Sequence, residues 1–203
     1  MVREKKAPVL TESQFRQVVA VARTHDQPHR NVALLYFSVA LGLRAKELSQ
    51  LLVRDVLTPD GAIKDEVLLT RATTKGRKQR LVYLANKDVR KALTVYLDER
   101  RQAEAIVALP LAPLFKSRKG GAFTPNTMQM LFKRMYRRAG LDQASSHSGR
   151  RTFATSLIEQ GVDIKAVSSL MGHASVSMTA RYVDDNPLRL KRICQNVLAG
   201  VTP

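Results

Sequence analysis

Six side chains in this sequence are of the types that can break and remake a phosphodiester. His147 and Arg150 stand at H-x-x-R spacing, His173 directly follows Gly172, and Tyr182 lies nine residues further on. Upstream, LGLRAKEL supplies Arg44 and TTKGRKQR supplies Lys75. Attack by a side-chain hydroxyl on a phosphodiester has three requirements: the nucleophile loses its proton, the charge on the phosphorane is stabilised, and the leaving oxygen gains a proton. Tyrosine ionises near pH ~10 when unperturbed, so cationic neighbours or a base must help it. Two arginines and two histidines can supply charge and hydrogen bonds, and a lysine can protonate the leaving alkoxide. A covalent phosphotyrosine keeps the energy of the broken bond, so a deoxyribose hydroxyl can reseal the strand without ATP. The route needs no metal and no cofactor. The sequence shows no carboxylate or His/Cys cluster resembling a metal site and no Walker loop.

Each residue also has an ordinary reading. Arg44 can be a surface arginine paired with Glu47, or an arginine held rigidly at a helix start with Glu47 orienting it. Tyr182 can sit at a core edge, and H-x-x-R arises often by chance. The order and spacing of all six carry the argument.

The elements that must hold these groups are mainly helical. Thr11 and Gln14 match a capping box, and Phe15, Val18, Val19 and Ala22 follow at helical spacing. His25 to His29 reads as a loop. A second helix is expected from about Asn31 to Leu41, ended by Gly42, and a helical turn from Ala45 to Leu52. Asp55 to Lys64 is turn-rich. Glu66 to Ala72 and Gln79 to Leu84 read as strands of a hairpin tipped by Thr74-Lys75-Gly76-Arg77. The basic residues of this hairpin are Arg71, Lys75, Arg77, Lys78 and Arg80. The bland reading is a solvated arm touching phosphates; the sharper one sends Lys75 into the scissile site, with Lys78 as the second candidate. Asn86 caps a helix to about Ala105, and Thr124-Pro125 opens another. On the latter, Lys133, Arg134, Arg137 and Arg138 flank an apolar stripe, and Asn126 and Gln129 can reach base edges. Arg151 joins this DNA-facing set. Helices are expected over Ser148 to Gln160, from Asp163 to Gly172, and from about Ser177, carrying Tyr182. Leu190, Ile193 and Val197 make a final amphipathic segment.

Composition points the same way. The 203 residues are 44% apolar, enough for one folded core, and carry 34 Lys plus Arg against 17 Asp plus Glu, a formal charge of +17. A surplus of this size favours a polyanionic partner. With no segment approaching the ~20 apolar residues of a membrane span, nucleic acid is preferred over membrane. The single Cys194 excludes an intramolecular disulfide and fits a reducing cytoplasm.

Taken together, LGLRAKEL, TTKGRKQRLVYL, HSGRRTFAT and LMGHASVSMTARYV resemble the motifs of the tyrosine recombinases, the phage-integrase type, over about Thr11 to Tyr182. The resemblance implies a mainly α fold with a small antiparallel β-sheet, the catalytic core of a DNA breaking-rejoining enzyme. It implies catalytic roles for Arg44, Lys75, His147, Arg150, His173 and Tyr182, with Glu47 and Gly172 supporting them. Arg44, Arg150 and His173 would bind non-bridging phosphate oxygens, Lys75 would be the general acid, and His147 would assist proton transfer. The implied product is a 3′-phosphotyrosine with a free 5′-hydroxyl. The expected partners are double-stranded DNA, a homo-tetramer on two synapsed duplexes, and accessory DNA-bending or directionality proteins, in a prokaryotic cytoplasm at the nucleoid or a mobile element. The expected layout is a basic lead-in over 1–10, a catalytic domain over 11–185, and a tail over 186–203 that docks on a neighbouring protomer. Family members commonly carry an N-terminal DNA-clamping domain. The short lead-in fits either a fragment starting at the linker or a short member similar to the fimbrial phase-variation recombinases. Type IB topoisomerase-like relaxation and a catalytically idle DNA-binding regulator are the alternative functions.

Overall fold

A computed structural model of the chain describes residues 7–70, 79–180 and 182. Most of the described residues are helical, and a two-stranded antiparallel sheet is the only sheet among them.

Helix α1 (Glu12–Arg23) starts at the expected capping box: Thr11 Oγ1 accepts from Gln14 N at 3.2 Å, and Gln14 Oε1 accepts from Thr11 N at 3.0 Å. Helix α2 (Pro28–Ala40) begins earlier than the apolar pattern indicated. Pro28 occupies the first helical position, where its fixed φ fits and its missing N–H goes unneeded. Nearly every side of α2 is buried, and α5 (Lys87–Ala103) and α7 (Ser146–Glu159) pack against it as its main partners. Between α2 and α5, Phe115 packs edge-on to Phe37 and stacks on Tyr96.

Short helices α3 (Ala45–Gln50) and α4 (Val53–Val56) lead to strands β1 (Glu66–Leu69) and β2 (Arg80–Tyr83). The strands pair Glu66 with Tyr83 and Leu69 with Arg80. Val67, Leu69, Arg80 and Val82 point inward, whereas Leu68, Leu81 and Tyr83 are exposed. The hairpin tip, with Arg71, Lys75, Arg77 and Lys78, lies outside the described residues, as does the tail over 186–203.

Helix α6 (Pro125–Arg138) carries its expected Thr124 cap and buries Met128, Leu131, Phe132, Met135 and Tyr136. Ser145 caps α7, which therefore starts before Ser148 and includes His147 in its first turn. Asp163 caps α8 (Ile164–Met171), with Oδ1 accepting from Lys165 N and Ala166 N. Helix α9 (Val176–Ala180) ends before Tyr182, which sits in the turn beyond it with its N–H on Thr179 O at 2.9 Å.

Residues 7–10, the end of the basic lead-in, are held against the domain. Leu10 is buried, its N–H bonds Thr152 Oγ1 at 2.8 Å, and Ala7 O accepts from Arg151 Nη1 at 2.8 Å. This stretch runs along α7, so α7 is clasped on a side that the helical pattern alone leaves open. A large core joins α1 to α6 and the sheet. A smaller one, Ala154, Ile158, Val167 and Met171, holds α7 to α8, and Tyr182 leans against it.

Candidate active site

Arg44 is the residue before α3, in extended backbone (φ −78°, ψ 152°). Glu47, in the first turn of that helix, reaches back: its Oε2 accepts from Arg44 N at 2.7 Å and its Oε1 from Arg44 Nη1 at 2.8 Å. The pair with Glu47 thus forms at the helix start. The Arg44 side chain remains 18% exposed while Glu47 is fully buried, so the carboxylate holds a cation whose outer edge still meets solvent.

Arg80 departs from its expected place among DNA-facing residues. Its side chain is only 5% exposed, with Nη2 on Glu47 Oε2 at 2.8 Å and Nη1 on Leu170 O at 2.5 Å. The strand alternation explains this, because Arg80 shares the inward face with Val82. That signal was present in the sequence, but the surrounding Lys and Arg residues masked it. Arg80 thus joins β2, the base of the Lys75 hairpin, to the glutamate under Arg44.

Arg150 lies on α7 and is also buried, at 4% exposure. Its Nη1 donates to Gly42 O at 2.6 Å and its Nη2 to Met171 O. The two arginines together occupy the last carbonyls of α8, Leu170 for Arg80 and Met171 for Arg150. Unsatisfied carbonyls at a helix C-terminus carry partial negative charge, and here they partner cations that have one carboxylate between them. Two glycines make the approach possible. Gly149 lets α7 close on α2, since a Cβ there would overlap the Ser38 side chain. Gly172 adopts φ +59°, and a Cβ there would overlap Arg80 Cδ.

The turn at Gly172 presents His173, whose backbone N–H closes onto Ser168 O at 3.0 Å. Its Nδ1 lies 2.7 Å from Thr179 Oγ1, and its ring stacks on Tyr182 with centroids 5.8 Å apart and planes 9° from parallel. His147 is exposed in the first turn of α7, one helical turn before Arg150.

Electrostatics follow from this crowding of guanidinium groups. Burial alone would raise the Glu47 carboxyl, but Arg80, the Arg44 backbone N–H, and the charges of Arg44 and Arg150 outweigh it and hold it below the usual carboxylate range. Burial, reinforced by Arg44 and Arg80, lowers Arg150 to about 9. Burial and then Arg150, Arg44 and Arg80 lower His173 to about 4, so its imidazole is neutral near pH 7. The result is a cationic cluster with a neutral imidazole beside a tyrosine, short of negative charge and therefore receptive to an anion.

Of the other expected DNA-facing residues, six are described. Asn126, Gln129, Lys133, Arg134 and Arg137 are exposed on α6, and Arg151 is half-buried against residue 7. Thr179, fully buried against His173, had no sequence signal beyond its nearness to Tyr182.

The family model described as "Phage integrase family" matches residues 8–189. The chain belongs to the phage integrase family. Among similar proteins, a "Tyrosine recombinase XerC" of Pelobacter propionicus is 30% identical over 194 residues, covering 94% of this chain and 60% of that protein. A "Tyrosine recombinase XerD" of Neisseria meningitidis serogroup A is 33% identical over 186 residues, covering 88% of this chain and 59% of that protein. The chain thus spans about three fifths of the length of these two curated relatives. Among solved structures, XerA recombinase superposes with a TM-score of 0.73 at 24% identity, over 98% of this chain and 67% of that one. XerH bound to a difH substrate before cleavage superposes with a TM-score of 0.68 at 24% identity, over 99% and 57%. These likenesses agree with the mainly helical fold carrying a small antiparallel sheet. Family membership accounts for the four motifs together, where composition could offer only a basic globular domain.

Proposed function

We propose that this chain cuts and rejoins double-stranded DNA as a site-specific recombinase, through a covalent 3′-phosphotyrosine at Tyr182. The observation that carries the reading is the cluster of Arg44, Arg150 and His173 with Tyr182 stacked on the imidazole. A scissile phosphate there would supply the negative charge that the buried guanidinium groups lack. Tyr182 Oη would bond to phosphorus as the P–O5′ bond breaks, and O5′ would take a proton from Lys75, with Lys78 the second candidate. Arg44 and Arg150 would stabilise the phosphorane oxygens, and His147 would assist proton transfer. Return of the 5′-hydroxyl of the same or another strand would release Tyr182 and reseal the backbone. DNA-bound recombinases among the similar structures support duplex DNA as the partner. A tetramer on two synapsed duplexes, a docking tail beyond residue 186 and accessory DNA-bending or directionality proteins belong to the same proposal, as does a nucleoid or mobile-element setting.

The test is a suicide duplex nicked beside a randomised core. Wild type should form an SDS-stable protein–DNA adduct and Tyr182→Phe none, with DNA binding retained by both. An adduct surviving in Tyr182→Phe would remove the assigned nucleophile. Binding without any adduct, even after addition of a separate DNA-clamping domain, would favour an idle DNA-binding regulator.

A further inference from the structure

Thr179 sits in α9 between the two groups that stack at the site. Its side chain is fully buried. Threonine in a helix often turns its hydroxyl back onto a carbonyl of the preceding turn. Here the hydroxyl instead meets His173 Nδ1 at 2.7 Å and makes no other hydrogen bond among the described residues. The main-chain carbonyl of the same residue accepts the N–H of Tyr182 at 2.9 Å. One residue therefore holds the imidazole by its side chain and the tyrosine by its backbone.

A bond between a hydroxyl and a ring nitrogen can run in either direction. If Nδ1–H donated to Oγ1, the threonine proton would be buried with no acceptor. If the hydroxyl donates to Nδ1, every group in the pair is satisfied, and satisfied arrangements dominate in protein interiors. A β-branched side chain has few rotamers to choose from, so the hydroxyl stays in place.

We propose that Thr179 is a positioning residue that sets the tautomer of His173: its hydroxyl donates to Nδ1, and the single ring proton stays on Nε2 as a hydrogen-bond donor. The functional consequence rests on the reading of His173 as a ligand of the scissile phosphate. An Nε2–H can donate to a non-bridging oxygen, whereas the other tautomer would aim a lone pair at it. The neutral state of the imidazole, lowered to about 4 by burial and the neighbouring arginines, is what makes the tautomer matter. A protonated ring would donate from both nitrogens.

The experiment has two independent arms. In the first, the full chain labelled with ¹⁵N is studied without DNA at neutral pH, and long-range ¹H–¹⁵N correlations read the tautomer of each of its four histidines. His173 is expected as Nε2–H in wild type and Thr179→Ser, and as a mixture of tautomers in Thr179→Val. An Nδ1–H ring in wild type overturns the proposal whether or not any variant folds. So does a Thr179→Val spectrum identical to wild type at His173. In the second arm, adduct formation on the suicide duplex is expected to slow about tenfold in Thr179→Val, the worth of roughly one hydrogen bond. DNA affinity should be unchanged, and Thr179→Ser should recover most of the rate. A defect that Thr179→Ser shares equally would point to packing and overturn the positioning role. If the spectra show Nε2–H but no variant or wild type forms an adduct, the proposed function fails and the tautomer assignment stands.

Discussion

At the scale of single residues, the site depends on Glu47. A fully buried carboxylate that accepts from Arg44 and Arg80 cannot lose either partner cheaply. Removing one member of a buried pair leaves an uncompensated charge and typically costs ~3–5 kcal/mol. Arg80→Met leaves Glu47 still paired with Arg44, so it is expected to lower the unfolding free energy by less than that amount, read from urea midpoints, and to slow adduct formation because the Glu47 carboxylate then draws on Arg44 alone. A loss of DNA affinity with unchanged stability would instead return Arg80 to the DNA surface. His173 gives a pH prediction with a definite sign. Its folded value of about 4 lies below the ordinary 6.5, so the unfolded chain takes up the proton first as pH falls. The stability contributed by the neutral ring is complete above about 6.5 and is lost progressively down to about 4. Imidazole resonances followed against pH in the DNA-free protein should show the His173 midpoint near the lower value. A midpoint near 6.5 would mean that neither burial nor the arginine cluster lowers it.

At the scale of elements, the arrangement is a convergence of helix ends. The C-terminus of α8 supplies Leu170 O and Met171 O to two arginines, the turn beyond α2 supplies Gly42 O, and the start of α3 supplies Arg44. Helix-end carbonyls would otherwise need water or a cap, so the guanidinium groups serve α8 as it serves them. Placement of Arg150 depends on how closely α7 approaches α2, and Gly149 fixes that approach. Gly149→Ala is expected to push the two helices apart, destabilising the protein by ~1–3 kcal/mol as overpacking does and reducing adduct formation more than DNA binding. Ser38→Gly in the same chain should recover part of both. Failure of that second change to help would place the close contact elsewhere.

At the scale of the whole molecule, two groups of the cations behind the +17 formal charge are placed differently. Arg44, Arg80 and Arg150 are held by Glu47 and by the carbonyls of Gly42, Leu170 and Met171. The exposed Lys133, Arg134 and Arg137 on α6 remain available for phosphates. Contacts of the second kind release counterions, so log affinity for duplex DNA should fall linearly with log salt, with a slope near −0.9 per phosphate neutralised. Filter binding or fluorescence anisotropy between low and moderate salt measures it. Replacing Lys133 and Arg137 by Gln is expected to flatten the slope by about two. A slope indifferent to both would remove α6 from the interface.

The sequence by itself determined the candidate residues and most of the local structure. The residue types at Arg44, Arg150, His173 and Tyr182, the caps at Thr11, Asn86, Thr124 and Asp163, and the turn at Gly172 all rest on neighbours within a few positions, where spacing and local hydrogen bonding suffice. Helix starts were less legible where a proline or serine supplied an earlier boundary, as at Pro28 and Ser145. Only the tertiary structure decided which cation serves which purpose. Arg80 reads as one more basic residue of a hairpin until β2 packs beneath α3 and α8, and Thr179 is an unremarked helix residue until α9 folds back onto His173. Both assignments depend on partners at long range, Glu47 and Leu170 for Arg80 and the His173 ring for Thr179. The burial that raises the cost of an unpaired group is created only when those segments meet.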